Sequence, residues 1–185
     1  MDTKAFREGF RDGIPIGLGY LAVSFSLGIS AKQAGLTPLQ GFVTSFLENA
    51  SAGEYIAFTL IGAGATYIEL CLMTIIANAR YLLMSCAMSQ RFSPDTPMIH
   101  RFLVAFDLTD ELFGIAIGRP GYLNPYYSYG AFLVALPGWS IGTAAGVIAG
   151  NLLPVTLGNL VGGGLLVGVS AWYLYLKKER NSVNS

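Results

Sequence analysis

Apolar sequence returns along the whole chain at lengths close to one bilayer thickness, and that repetition limits the fold more than any motif does. Continuous runs occupy 14–31, 66–88, 127–150 and 155–176, and two more, at 39–63 and 102–118, are interrupted by acids. A hydrocarbon core takes roughly 20 helical residues per crossing. Barrel strands would alternate apolar and polar positions, and these runs do not. Hydrophobic residues make up 53% of the 185 positions and charged residues 12%, about half the charge that a water-facing domain carries. The expected fold is therefore all-α: a polytopic helical membrane protein of about six membrane segments, some broken or re-entrant, forming a single transmembrane domain over 1–185.

Charge sets the expected orientation. Lys4, Arg7 and Arg11 precede the first run, and Lys177, Lys178 and Arg180 follow the last. The positive-inside rule then puts both termini in the cytoplasm, with 177–185 as a cytoplasmic tail and an even number of crossings. The run at 14–31 is long enough to span and is read as the first membrane helix, not a cleaved signal. A formal net charge of zero gives no reason to expect nucleic acid as a partner. Cys71 and Cys86 lack metal-type spacing and imply no metal, no cofactor and no disulfide framework.

The connections AKQAGLTP, SQRFSPDTP and RPGYLNPYY are short and carry helix-stopping Pro, Gly and Asn. Arg91 and Arg101 flank the second. Six crossings would place that loop outside, against the charge bias, so either the bias is weak here or one segment re-enters. The candidate for re-entry is LQGFVTSFLENASAGEYIAFTLIGA, whose two apolar pieces are separated by Glu48, Asn49, Ser51, Gly53 and Glu54. A continuous helix would hold each glutamate near mid-membrane at about 2.5–3.5 kcal/mol. A broken helix lining a cavity avoids much of that cost.

FDLTDELFGIAIG places Asp107, Asp110 and Glu111 at i, i+3 and i+4, so in a helix all three project from one face. Alternatively a half-helix begins here, with Asp107 as N-cap and the other two in its first turn. A plain cap would explain the acids; carboxylates this close in a poorly solvated site would also find it costly all to stay ionised, which suits a group that takes up a proton or holds an ammonium. Arg80, in IIANARYLLMS, is the only cation inside an expected span, against Glu48, Glu54, Glu69, Asp107, Asp110 and Glu111. It suits a structural ion pair as well as a substrate contact. Glu69 reads as a helix-end residue and His100 as a solvated loop residue. The tyrosines near 122–129 and 173–175, with Trp172, read as interfacial belts. Gly158 with Gly162, and Gly164 with Gly168, permit close helix packing. SLGISAKQAGLTP at 26–38 echoes SIGTAAGVIAGNLLP at 140–154, the pattern of duplicated transporter halves.

Four stretches in order, FREGFRDGIPIGLGYLAVSFSLGI, NARYLLMS, FDLTDELF and WSIGTAAGVIAGNLLP, resemble the AzlC family of bacterial branched-chain amino acid exporters over about 5–154. ENASAGEY departs from the Tyr-Ala-Gly-Ala-x-Gln type sequence usual at the break, which bears on substrate choice. From about Asn151, NLLPVTLGNLVGGGLLVGVSAWYLYLKK resembles instead the last helix of the formate/nitrite transporter family. The resemblance implies a bacterial plasma-membrane exporter of hydrophobic amino acids that works with a small hydrophobic AzlD-like membrane subunit and no cofactor. A half-helix N-terminus or Arg80 would hold the substrate carboxylate, and Asp110 or Glu111 the ammonium or a coupling proton. Asn78 of the Asn-x-Arg motif, Asp107, Glu48, Asn49 and Glu54 complete the candidate substrate and proton site. No nucleophile, metal cluster or phosphate loop points to an enzyme. The alternatives are a channel or carrier for small monocarboxylates or nitrite, and a membrane protein that transports nothing.

Overall fold

The computed structural model describes residues 2–150, and all regular structure within them is helical. The last expected segment at 155–176, the tail at 177–185, Gly158 to Gly168 and part of the second echo lie outside the described residues. Helix α1 (Thr3–Gln33) starts at Asp2, whose carboxylate accepts from the backbone N–H groups of Lys4 and Ala5. Helices α2 (Pro38–Glu48) and α3 (Ser51–Gly62) are separated at Asn49, which takes the left-handed conformation at φ 44°. Helices α4 (Tyr67–Ala77) and α5 (Arg80–Ser89) meet at a 49° bend. Helices α6 (Met98–Phe106) and α7 (Asp110–Ile117) flank Asp107, and α8 (Pro125–Ala149) follows Asn124 as N-cap.

Two helices, α1 and α8, are long and apolar enough to cross a membrane, and the bent pair α4–α5 completes a third such path. They pack side by side through glycine. A Cβ on Gly13, Gly28, Gly138 or Gly142 would overlap the opposing backbone, at Ala131, Thr143, Gly17 and Leu21 respectively. Contacts advance together along both chains, from Gly9 against Tyr127 to Gly28 against Gly146, so the two helices run parallel. If both cross, an odd number of crossings must lie between them.

The intervening pairs explain how that is met. Pro38 follows the turn at the end of α1, and α3 returns to place Gly62 beside Ala34. The α2–α3 pair therefore begins and ends at the same end of the molecule. The α6–α7 pair does the same at the opposite end. There Arg101 donates to the carbonyls of Ser89 and Ser93, Arg119 pairs with Glu8 of α1, and the Leu123 N–H bonds the Arg91 carbonyl at 2.7 Å. Met88, Phe92, Val104, Leu108, Ala116, Leu123 and Tyr127 form a core beneath this end. Two hairpins of half-helices thus enter from opposite ends, and only α4–α5 passes between the ends.

Several expectations change as a result. Of the five expected segments within the described residues, three are paths between the ends, because 102–118 turns back at Asp107 and 39–63 turns back at Asn49. The run at 66–88 does join the two ends, though bent at Asn78. The loop bearing Arg91 and flanked by Arg101 lies at the end where α1 begins, so its charge agrees with that of Lys4, Arg7 and Arg11. His100 is not a solvated loop residue: it sits in the first turn of α6, its Nδ1 2.7 Å from the Tyr129 hydroxyl and its ring beside Tyr126 and Tyr129. Glu69 does cap a helix end, in a capping box with Thr66.

The outer surface is apolar. Leu18, Leu39, Leu82 and Leu83 are exposed, and α4 buries none of its residues while exposing Ile68, Leu72, Ile75 and Ile76. Such a surface has a low cost only against hydrocarbon or another apolar chain.

Candidate functional site

The breaks in the three helix pairs meet midway between the ends, and their polar residues are tied to one another. Asn49 Nδ2 donates to Asp107 Oδ1 at 3.3 Å, joining the tips of the two opposed hairpins. Asn78 Nδ2, at the bend between α4 and α5, donates to Glu48 Oε1 at 3.3 Å. Arg80 Nη2 lies 2.9 Å from Asp110 Oδ2, joining α5 to α7. A Cβ on Gly53 would overlap the Glu48 and Asn78 side chains, so the small residue in the first turn of α3 makes room for this seam.

All eight residues singled out in the sequence fall in this region; a half-helix does begin with Asp110 and Glu111 in its first turn, but the shared face of three carboxylates and the expected cap do not hold. Asp107 is not the N-cap of a half-helix. It closes α6, and Thr109 caps α7 by accepting from the Leu112 N–H. Because the helix is interrupted between them, Asp107 does not share a helical face with Asp110 and Glu111. Asp107 is 5% exposed, whereas the side chains of Arg80 and Asp110 are each 46% exposed. Glu111 is exposed and accepts from the Tyr20 hydroxyl at 2.6 Å, with Thr109 Oγ1 2.5 Å from the same hydroxyl. Glu54 is fully buried, one turn into α3, and accepts from Trp139 Nε1 at 2.6 Å and Ser45 Oγ at 2.9 Å.

A cavity of about 60 Å³ opens at this junction, lined by Tyr20, Asn49, Tyr81, Asp110, Glu111 and Trp139 among others. Three features give it a mixed electrostatic character. No side chain caps α3 at Ala50, so first-turn N–H groups of this half-helix are left as donors and its dipole adds positive potential there, whereas the Tyr81 and Leu82 N–H groups of α5 are already bonded to the Asn78 and Ala79 carbonyls. Asp110 and Glu111 supply negative charge a few residues away. Asn49, which lines the cavity, keeps a buried Oδ1 without a partner among the described residues just behind the wall. Donors for a carboxylate and acceptors for an ammonium therefore border one small space.

Sequence reasoning missed Tyr20, Thr109 and Trp139, which line the cavity, and Ser45 and Thr143, which bond each other at 2.6 Å behind it. Tyr20 and Trp139 stand in apolar runs, and Thr109 stands among acids that draw the attention first. Only contacts made in the fold, Tyr20 with Glu111, Ser45 and Trp139 with Glu54, and Thr109 and Thr143 with those partners, set them apart from ordinary membrane residues.

Residues 15–153 match the family described as AzlC protein. The chain is 27% identical to inner membrane protein YgaZ of Escherichia coli, over 91% of this chain and 66% of that one. It is also 27% identical to the branched-chain amino acid transport protein AzlC of Bacillus subtilis, over 80% of this chain and 58% of the other. A short stretch of 37 residues is 53% identical to formate channel FocA of Escherichia coli, covering 20% of this chain and 13% of that protein. This chain thus aligns with less than two thirds of the length of those first two relatives. No solved structure matches it. A match over most of the chain, with an all-helical apolar fold beneath it, places this membrane protein in the AzlC family, a family of transport proteins and not of enzymes.

Proposed function

We propose that this chain is the large subunit of an exporter for branched-chain or other hydrophobic amino acids, driven by a proton gradient across a bacterial plasma membrane. The observation that carries the reading is the meeting of opposed half-helix tips at a mid-depth cavity bordered by helix N-termini and carboxylates. A zwitterion needs both. Its carboxylate is suited by the uncapped first turn of α3 and by Arg80, its ammonium by Asp110 or Glu111. The name of the Bacillus relative supports branched-chain substrates.

The end bearing the start of α1 carries Lys4, Arg7, Arg11, Arg91, Arg101 and Arg119, whereas Lys32 is the only basic residue near the other end of α1 among the described residues. That asymmetry supports a cytoplasmic N-terminus; the C-terminal tail is assigned the same side from its own lysines. The half-exposed Arg80–Asp110 pair at mid-depth cannot face lipid cheaply. A second membrane subunit of the small AzlD type, lying over α4, α5 and α7, would cover it and close the side of the cavity.

The test is efflux of labelled valine from loaded vesicles across a pH gradient, with the small subunit present. Asp110→Asn and Glu111→Gln should each lower efflux by about tenfold or more, the worth of one lost charge-assisted contact. Unchanged efflux in both would remove the proposed roles. The short stretch shared with a formate channel favours one other reading, a path for small monocarboxylates or nitrite. Formate flux in liposomes without any second subunit would support it.

A further inference from the structure

The geometry points to Glu54 as a proton-binding site separate from the cavity, in which a chain of hydroxyls reverses direction when the carboxyl is protonated. Glu54, Ser45 and Thr143 have no solvent exposure, and Trp139 is 4% exposed. Glu54 Oε1 accepts from the Trp139 indole at 2.6 Å, and Oε2 lies 2.9 Å from Ser45 Oγ. Ser45 Oγ is 2.6 Å from Thr143 Oγ1, which is 3.4 Å from the Trp139 carbonyl. Each hydroxyl has one proton to give, so the chain has two complete arrangements.

With Glu54 ionised, Ser45 donates to the carboxylate and Thr143 donates to Ser45. When a proton binds Oε2, the new O–H donates to Ser45, Ser45 turns to donate to Thr143, and Thr143 donates to the Trp139 carbonyl. Trp139 donates to Oε1 in both states. No donor is orphaned either way, which is uncommon for a dry carboxyl, because a group built for one protonation state leaves a partner unsatisfied in the other. Among the described residues no Lys or Arg lies within ion-pair distance of Glu54. The titratable groups around it are Glu48 on α2, whose charge opposes a second negative charge here, and Tyr20 on α1, which reaches it only through Trp139. Tyr55, next to it on α3, is exposed.

Trp139 links this site to the cavity. Its ring meets Tyr20 edge-on with centroids 5.0 Å apart, and the Tyr20 hydroxyl bonds Glu111. A proton on Glu54 therefore lies behind the Trp139 indole that walls the cavity, which suits it to hold the driving proton while Asp110 and Glu111 remain free for the solute.

The test pairs a spectroscopic readout with transport, the second of which rests on the exporter reading. Infrared difference spectra of the full chain in liposomes, taken across a pH titration, should contain the carbonyl stretch of a protonated carboxylic acid. Glu54→Gln should remove one component of that absorption, and Glu69→Gln, at an exposed helix cap, should leave that component. Glutamine reproduces the protonated arrangement, its NH₂ donating to Ser45, so exchange of labelled for unlabelled valine should persist while gradient-driven efflux is lost. A band unchanged in Glu54→Gln, or undiminished gradient-driven efflux, would overturn the assignment. A wild-type protein that moves no valine yet keeps the Glu54 band would sink the exporter reading alone. Should Glu54→Gln not fold, Thr143→Val keeps the carboxyl and cuts the chain. Gradient-driven efflux should then fall about fivefold, equivalent to one hydrogen bond, and equal efflux would count against the proposal.

Discussion

Asn49 performs three tasks that no other residue type combines as well. It accepts φ 44° at the end of α2, a left-handed conformation that Asn tolerates better than most residues. Its Nδ2 holds Asp107 of the opposed hairpin, and the residue lines the cavity while its Oδ1 stays buried without a partner among the described residues. Asn49→Ala should strain the turn and leave the buried Asp107 carboxyl unpaired, at about 1–3 kcal/mol. The expected result is a lower apparent Tm in detergent together with weakened valine binding. Asn49→Gly, which relieves the strain but not the lost bond, should recover only part of the Tm; full recovery of both properties would show that only backbone conformation matters. The sequence made this position visible because a polar pair interrupts an apolar run. It did not reveal that Asp107 was the partner, since the two are 58 positions apart and nothing local connects them. The same limit misplaced the cap of α7. Asp107 and Thr109 are both good N-cap residues, and the choice depends on where the hairpin turns, which its contact with Asn49 helps to fix.

At the scale of elements, the half-helices depend on the pair that supports them. Segments of 8 to 12 residues, such as α7 and α3, are marginal as isolated helices. They keep their geometry because α1 and α8 form a rigid, closely packed post against which Phe58 and Leu112 are buried. Close approach requires glycine at the crossing points, so Gly142→Leu, which would force a side chain into the Leu21 backbone and Ser24, should separate the post. The overpacking cost is about 1–3 kcal/mol or more. Apparent Tm should fall by several degrees or the protein should fail to leave aggregates on size exclusion. Gly114→Leu, where an added Cβ meets nothing within 4 Å, is the control and should behave as wild type. The glycine spacing that matters, Gly9, Gly13, Gly17 and Gly28 on α1 and Gly130, Gly138, Gly142 and Gly146 on α8, was present in the sequence but indistinct among 23 glycines. Hydropathy located α1 and α8 because they are continuous. It read 102–118 as a crossing because a hairpin of two apolar half-helices has the composition of one span.

For the whole molecule, the arrangement of hairpins from opposite ends makes a topological claim that differs from the six-crossing expectation at specific loops. Six crossings would put the loop after α5 and the loop after α7 on opposite sides, and the turn after α3 in the cytoplasm. Three paths put the first two together on the cytoplasmic side and the turn after α3 outside. Cys71 and Cys86 are free and exposed, so both must first become serine. Single cysteines can then replace Ala63, Asp95 and Pro120, all exposed loop or helix-end positions. In intact cells a membrane-impermeant maleimide should label Ala63→Cys alone, and Asp95→Cys and Pro120→Cys should react only after permeabilisation. Labelling of Asp95→Cys and Pro120→Cys from opposite sides would mean that α6–α7 crosses. Asp107 and Asn49 would then no longer be the tips of opposed hairpins, and the mid-depth cavity would lose its two uncrossed walls. Protection of all three positions in intact cells would instead place the turn after α3 with the basic end, which the parallel run of α1 and α8 does not permit with a single path between them.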